Sequence, residues 1–136
     1  MKSVRVTDYM ATQLVTFKPT DTVFDAMHAF LTRKISGAPV VDDQGRLVGI
    51  LSETDLMQVV IQDSYYNESV GIVGDFMKYP VDTVSADEDI YSLAQRFSTG
   101  HRHRFPVLRD GRLIGQISRR DVLRAAIDMV ERKRQR

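Results

Sequence analysis

The chain repeats itself. Shifted by 67 residues, Val6-Thr7-Asp8-Tyr9-Met10 falls on Val73-Gly74-Asp75-Phe76-Met77. Thr16 then falls on Thr83, Phe30 on Phe97, Thr32 on Thr99, Pro39 on Pro106 and Val40 on Val107. With one residue removed from the first turn the shift becomes 66, and Gly45-Arg46-Leu47-Val48-Gly49 meets Gly111-Arg112-Leu113-Ile114-Gly115. In that register Ser52 meets Ser118 and Asp55 meets Asp121. Self-similarity at a fixed period means that one supersecondary unit has been used more than once. Here there are two copies, 1–66 and 67–136, the second ending in a basic helix end at 131–136. A half of this size buries too little surface to be comfortable alone. Two related halves packed about a pseudo-twofold axis can bury their sheets and helices against each other.

Each copy has the same grammar. Val4 to Met10, and Asn67 to Gly71, lead into a short helical turn. Leu14 to Phe17 and Val81 to Val84 read as short strands. Val23, Ala26, Met27, Phe30 and Leu31 lie at helical spacing on one apolar face, and Ile90, Leu93, Ala94 and Phe97 repeat it. Thr20 or Asp21, and Asp87 or Asp89, are candidate N-caps. Ala38 to Val41 and Arg104 to Leu108 are strand-like, their prolines suggesting an edge or a strand start. Asp43-Gln44-Gly45 and Asp110-Gly111 are hairpin turns. Leu47–Leu51 and Leu113–Ile117 are the return strands. Ser52 and Ser118 cap second helices, which carry Leu56, Val59 and Val60, and Val122, Leu123, Ala126 and Ile127. Polar 62–69 is the expected connection. The fold class is α/β (α+β), as two β-α-β-β-α repeats.

Composition narrows the chemistry. There is no cysteine, which removes disulfides, thiol catalysis and cysteine-based zinc sites and fits a reducing compartment. The longest aliphatic stretch, Leu47 to Leu51, is far short of the roughly 20 residues that span a bilayer. The N-terminus runs straight into polar Thr7 and Asp8, with no signal-peptide core, and a cytoplasmic protein without a membrane partner is expected. Net charge is +1. Four positive charges sit in residues 132–136, leaving the rest of the chain at −3, a poor footprint for nucleic acid. The tail reads as the end of a helix, where cations favour the dipole. The alternative is a tail that touches nucleic acid or an acidic partner.

Several motifs together carry a resemblance. They are Asp8-Tyr9-Met10 and Asp75-Phe76-Met77, Ser36-Gly37-Ala38-Pro39-Val40-Val41-Asp42, and Gly49-Ile50-Leu51-Ser52-Glu53-Thr54-Asp55-Leu56, repeated as Gly115-Gln116-Ile117-Ser118-Arg119-Arg120-Asp121-Val122. In order and duplication, from about Val4 to Val130, they resemble a pair of cystathionine-β-synthase (CBS) domains forming one Bateman module. The resemblance implies a regulatory module that binds adenine nucleotides (AMP, ADP or ATP) or S-adenosylmethionine. It implies signalling by conformational change to a separate regulated protein. It also implies a homodimer.

The resemblance further implies a division of site residues. Asp55 and Asp121 would hold the ribose hydroxyls. Ser52 with Thr54, and Ser118 with Arg120, would approach ribose or phosphate, and Thr16 and Thr83 would line the sites. One cleft would group Thr16 with Ala38, His103, Arg104, Ser118, Arg120 and Asp121. The other would group Thr83 with Lys34, Ser52, Thr54 and Asp55.

The chemistry is sound on its own terms. A carboxylate accepts from both hydroxyls of a cis-diol, a helix N-terminus favours phosphate, and backbone at Gly37-Ala38 permits close approach of an adenine edge. The first cleft, with Arg120, His103 and Arg104, would prefer a phosphorylated ligand. The second would take a less charged adenosine or bind more weakly.

Other readings accompany these. Ser-x-x-Asp is also a plain capping box. His101 to Arg104 is otherwise a solvated basic loop. His101 and His103 could chelate a metal, but no third ligand is evident, so no metal site is expected. They could instead make phosphate binding pH-dependent near neutrality. The Tyr9-Met10 and Phe76-Met77 pairs read as packing. There is no P-loop, no His-Glu-x-x-His and no nucleophile with a base, so no catalytic residue is expected. A ligand-free dimerisation scaffold is the alternative function.

Overall fold

A computed structural model describes residues 4–66 and 71–135 of the chain. Its helices are α1 (Val23–Arg33), α2 (Glu53–Tyr66), α3 (Ile90–Thr99) and α4 (Arg119–Arg134). Its strands are β1 (Gly37–Val41), β2 (Leu47–Ser52), β3 (Val84–Ser85), β4 (Arg104–Arg109) and β5 (Arg112–Ser118). Single 3₁₀ turns at Val6–Asp8 and Val73–Asp75 precede each set. The chain forms two compact units. One is Val15–Val81. The other joins Met1–Leu14 to Asp82–Arg136.

These units are offset from the sequence repeat. The lead-in of the second copy, 71–78, packs in the unit built on the first copy. Thr22 bridges Ile72, the Val73 N–H donates to the Asp21 carbonyl at 2.8 Å, and Lys78 exchanges backbone hydrogen bonds with Ile50. The lead-in of the first copy, 4–11, packs in the other unit. There Arg5 bridges Asp89, the Ile90 N–H donates to the Val4 carbonyl at 3.1 Å, and Ala11 exchanges bonds with Gln116. Each repeat thus lends its lead-in to the body of the other.

In the 15–81 unit, β1 and β2 pair antiparallel, with a register shift at Val40/Val41. Phe17 adds a bridge beside β1, and Lys78 adds one beside β2. In the other unit β5 pairs antiparallel with β4, β3 joins β4 in parallel, and the register shift falls at the equivalent Val107/Leu108. The expected strand at Leu14–Phe17 is reduced to the Phe17 bridge. The chain turns immediately afterwards, where the Lys18 N–H donates to the Asp21 carboxylate at 2.8 Å. That engagement also removes Asp21 as a helix cap. Thr22 caps α1 instead, accepting from the Asp25 N–H, while Asp89 caps α3 as expected.

Both prolines are buried inside their strands rather than at the ends. The missing N–H is tolerated because little pairs beside it: Phe17 alone outside β1, and β3 only at Val107 and Leu108. The hairpins differ by one residue, which accounts for the change of shift from 67 to 66. Asp110 and Gly111 both take positive φ in a two-residue loop, the backbone a primed hairpin turn needs. The longer turn is held by Asp42, whose carboxylate accepts from the Gln44 and Arg46 N–H groups at 2.9 Å.

Each unit has its own core. In one, Val23, Ala26 and Phe30 of α1 and Leu56 and Val59 of α2 cover Ala38, Val40 and Leu51, with Phe17 stacked on Phe30 at 5.9 Å. In the other, Ile90, Leu93, Phe97 and Ala125 cover Val84, Phe105, Val107 and Ile117. Three helix faces differ from expectation, the first being α2, where Val60 is exposed beside buried Leu56 and Val59. Leu31, assigned to the core stripe of α1, is 80% exposed. On α4 the buried face runs through Asp121 and Ala125 with Val122 and Met129 packed beside it, leaving Leu123, Ala126 and Ile127 outside. That helix is apolar on two sides, and Asp121 decides which side turns inward. The expected connection at 62–69 is helical as far as Tyr66, and 67–70 lie outside the described residues.

Candidate functional site

The same structure is built twice where a return strand runs into its helix. In the 15–81 unit the Ser52 N–H and O–H both donate to Asp55 Oδ2 at 2.8 Å, and the Asp55 N–H donates back to Ser52 Oγ at 3.2 Å. In the other unit the Ser118 N–H and O–H donate to Asp121 Oδ2 at 2.8 and 3.0 Å, and the Asp121 N–H returns to Ser118 Oγ at 3.3 Å. Each is a reciprocal capping box, which satisfies otherwise orphaned donors of the helix start. The local reason is the spacing: serine ends the strand, and three residues on the carboxylate lies under the first turn. Asp55 is 3% exposed and Asp121 is 7% exposed, the only buried charged residues among those described.

Carboxylates are rarely buried so fully unless paired. Both are paired, through the second oxygen, and by different routes. Asp55 Oδ1 accepts from Lys78 Nζ, which arrives on the lead-in segment beside β2. Asp121 Oδ1 accepts from Arg124 Nη2, one turn further along α4. Sequence reasoning missed both cations. Their only signal was a departure from the repeat: Lys78 aligns with Ala11, and Arg124 with Gln58.

Two glycines position the lead-ins. A Cβ on Gly49 would lie 2.6 Å from Met77 Sδ and 3.2 Å from the Lys78 carbonyl. A Cβ on Gly115 would lie 2.6 Å from Met10 Sδ and 2.8 Å from the Ala11 carbonyl. Met10 and Met77 therefore pack on the return strands, in keeping with the packing role read from the sequence. The close approach brings Lys78 within reach of Asp55.

The structure brings several expected residues to these edges. Arg104 lies opposite Ser118 across β4 and β5, and the Arg119 N–H donates to the His103 carbonyl at 3.1 Å. Arg120 is exposed in the first turn of α4. His103, Arg104, Ser118, Arg120 and Asp121 thus share one edge. The counterpart edge holds Ser52, Thr54 and Asp55. Gly37 lies opposite Ser52, beside Ala38, and the Glu53 N–H donates to the Ser36 carbonyl at 3.0 Å. Lys34 is exposed in the left-handed C-cap of α1. Thr16 belongs to the unit of Asp55 and Thr83 to that of Asp121, whereas the expected groups join them the other way. The Thr83 carbonyl accepts from Arg96 Nη2 at 2.9 Å.

A cleft of about 330 Å³ opens in the unit that holds Asp121, lined by Asp82, Arg96, Thr99, Gly100, His101, Arg102 and Phe105. Its cations are engaged. Arg102 pairs with Asp82 at 2.8 Å, and Arg96 pairs with Glu88 and lies 4.5 Å from the Phe105 ring centroid. His101 and His103 are exposed, and among the described residues no three metal-ligating side chains gather. The tail residues Arg132, Lys133 and Arg134 occupy the last turn of α4. Among the described residues no helix is long and apolar enough to cross a membrane.

Comparison with known proteins matches this architecture. The CBS domain family model matches residues 6–62 and again 73–128. A crystal structure of CBSX2 in complex with AMP superposes with a TM-score of 0.79 at 31% identity, covering 93% of this chain and 98% of that one. CBSX2 is a protein of Arabidopsis thaliana. The AcuB protein of Vibrio cholerae superposes with a TM-score of 0.82 at 25% identity, covering 99% and 98%. Among sequence relatives, MJ1225 of Methanocaldococcus jannaschii is 26% identical over 119 residues, which is 88% of this chain and 41% of that protein. The chain therefore spans less than half of that relative. With two matched domains, a duplicated strand-to-helix edge and neighbours of the same fold along their whole length, the chain belongs to the CBS domain family and carries two CBS domains in tandem.

Proposed function

We propose that the chain is a regulatory module that binds an adenosine-type ligand, AMP, ADP or ATP foremost, and passes the binding on to a separate protein. The observation that carries this reading is the duplicated buried carboxylate at an exposed helix start. A carboxylate there can take a ribose cis-diol, and the adjoining N–H groups and Arg120, His103 and Arg104 suit phosphate. The AMP bound by CBSX2, at 31% identity, supports the ligand class. Ligand binding works by population shift: it favours whichever arrangement binds it better, by the difference in affinity alone.

The test is thermal unfolding against AMP, ADP, ATP, S-adenosylmethionine and GTP. A ligand that binds only the folded chain stabilises by about 2.7 kcal/mol at a hundredfold excess over Kd. Stabilisation by adenine nucleotides that shrinks in Asp121→Asn supports the reading. No shift with any of them, in a chain that unfolds cooperatively, overturns it in favour of a ligand-free scaffold.

We also propose that the module pairs with a copy of itself. Leu123, Ile127 and Val130 lie exposed on α4 beside a shallow groove that includes Ala126. Met57 and Ile61 lie exposed on α2. Light scattering should give twice the chain mass, and Leu123→Glu with Ile127→Glu should return it to a single chain without loss of helical signal.

A further inference from the structure

We infer that Lys78 is a specificity-determining residue of the Asp55 site: its ammonium holds the place of the ligand's diol and makes that site select anionic nucleotides over neutral nucleosides. This rests on the reading of Asp55 as a diol-binding carboxylate. A carboxylate offers about four acceptor positions. Two are taken on Oδ2 by the Ser52 N–H and O–H, and one on Oδ1 by Lys78 Nζ. One position remains, and a cis-diol brings two donors. For both hydroxyls to bind, Lys78 has to leave Oδ1.

The cost of that displacement depends on the ligand. A neutral nucleoside replaces an ion pair with two neutral hydrogen bonds and leaves the buried carboxylate without its counter-charge, which is costly. An anionic ligand gives the displaced ammonium a new partner. Lys78 is placed to make that exchange. Its backbone is fixed by two hydrogen bonds to Ile50, at 2.9 and 3.0 Å, while its side chain is 67% exposed. The other unit, with Ala11 at the equivalent position, pairs its aspartate through Arg124. Two routes to a cation on the same carboxylate oxygen show that the position, rather than the residue, is what the two halves share. From Thr54 and the neutral stretch Ile35-Ser36-Gly37, the sequence reading expects the Asp55 site to take a less charged adenosine or to bind more weakly. Lys78 gives the Asp55 site a cation for an anionic ligand as well.

The experiment is calorimetric titration of the full chain with adenosine and with AMP, in an Asp121→Asn background that silences the other edge. Lys78→Met should bind adenosine about fivefold more tightly and AMP no more tightly, so that the preference for AMP falls at least fivefold. Lys78→Arg should keep the original preference, which separates loss of charge from loss of folding. An unchanged ratio in Lys78→Met, with AMP still bound, overturns the inference. If Asp55→Asn leaves both affinities unchanged in that background, the site reading itself fails, whatever Lys78 does.

Discussion

The two units share a plan and differ in how they finish it. Around Asp55 the counter-charge comes from a segment borrowed from the other repeat. Around Asp121 it comes from the same helix, one turn away. The rest of the capping box is the same to within 0.2 Å in each hydrogen bond. Duplication therefore preserved the demand, a buried carboxylate at a helix start with one oxygen capped and one facing a cation. It did not preserve the supplier. At the Asp55 edge the carboxylate is tied to the docking of the lead-in, because Lys78 belongs to it. At the Asp121 edge it is independent of the lead-in.

The sharpest way to break this comparison is to push each lead-in off its strand. Gly115→Ala drives a methyl group into the Ala11 carbonyl, a backbone atom that cannot swing away. It should cost about 3 kcal/mol in urea denaturation, at the upper end for overpacking. Gly49→Ala meets mainly the flexible end of Met77 and should cost about 1 kcal/mol. Equal losses would show that the two lead-ins are held alike.

A smaller difference lies in Tyr9, which aligns with Phe76. Its phenol donates to Asp128 at 3.0 Å, tying the lead-in to α4, where the other repeat has Gln62. Tyr9→Phe should cost about 1 kcal/mol at neutral pH. The Tyr9 pKa lies above the ordinary 10.0, raised first by burial and then by the bond to Asp128. The folded chain thus holds the phenolic proton longer than the unfolded chain does. The stabilisation is complete below the ordinary tyrosine value and fades as pH climbs through the raised one. The gap between Tyr9→Phe and the parent should therefore close at alkaline pH in urea midpoints. A gap that persisted there would assign the loss to packing.

Local pattern carried most of the fold. The repeat, the helices, the return strands and the Ser-x-x-Asp edges were all legible, because each depends on residues a few positions apart. What escaped depends on pairing across the chain. Nothing near Val6 or Val73 announces that each lead-in docks on the other repeat's body. Lys78 is a lone lysine after Phe76-Met77, and its meaning appears only once Ile50 lies beside it. The face of α4 was misjudged because Leu123, Ile127 and Val130 compete with Val122, Ala125 and Met129, and periodicity alone cannot choose between two apolar stripes.

The exchanged lead-ins have a consequence for how the chain is made. The 15–81 unit has all its parts once Val81 has left the ribosome. The other unit begins first and finishes last. Arg5 must wait for Asp89, Ala11 for Gln116, and Tyr9 for Asp128. Such long-range pairing is slow to form. Until those residues are made, the apolar lead-in with Val4, Val6 and Met10 is without its partners, while the 15–81 unit already has all of its own. The order of assembly is thus written into the topology: the 15–81 unit first, then the unit that joins the N-terminal lead-in to the residues from Asp82 on, closed by α4.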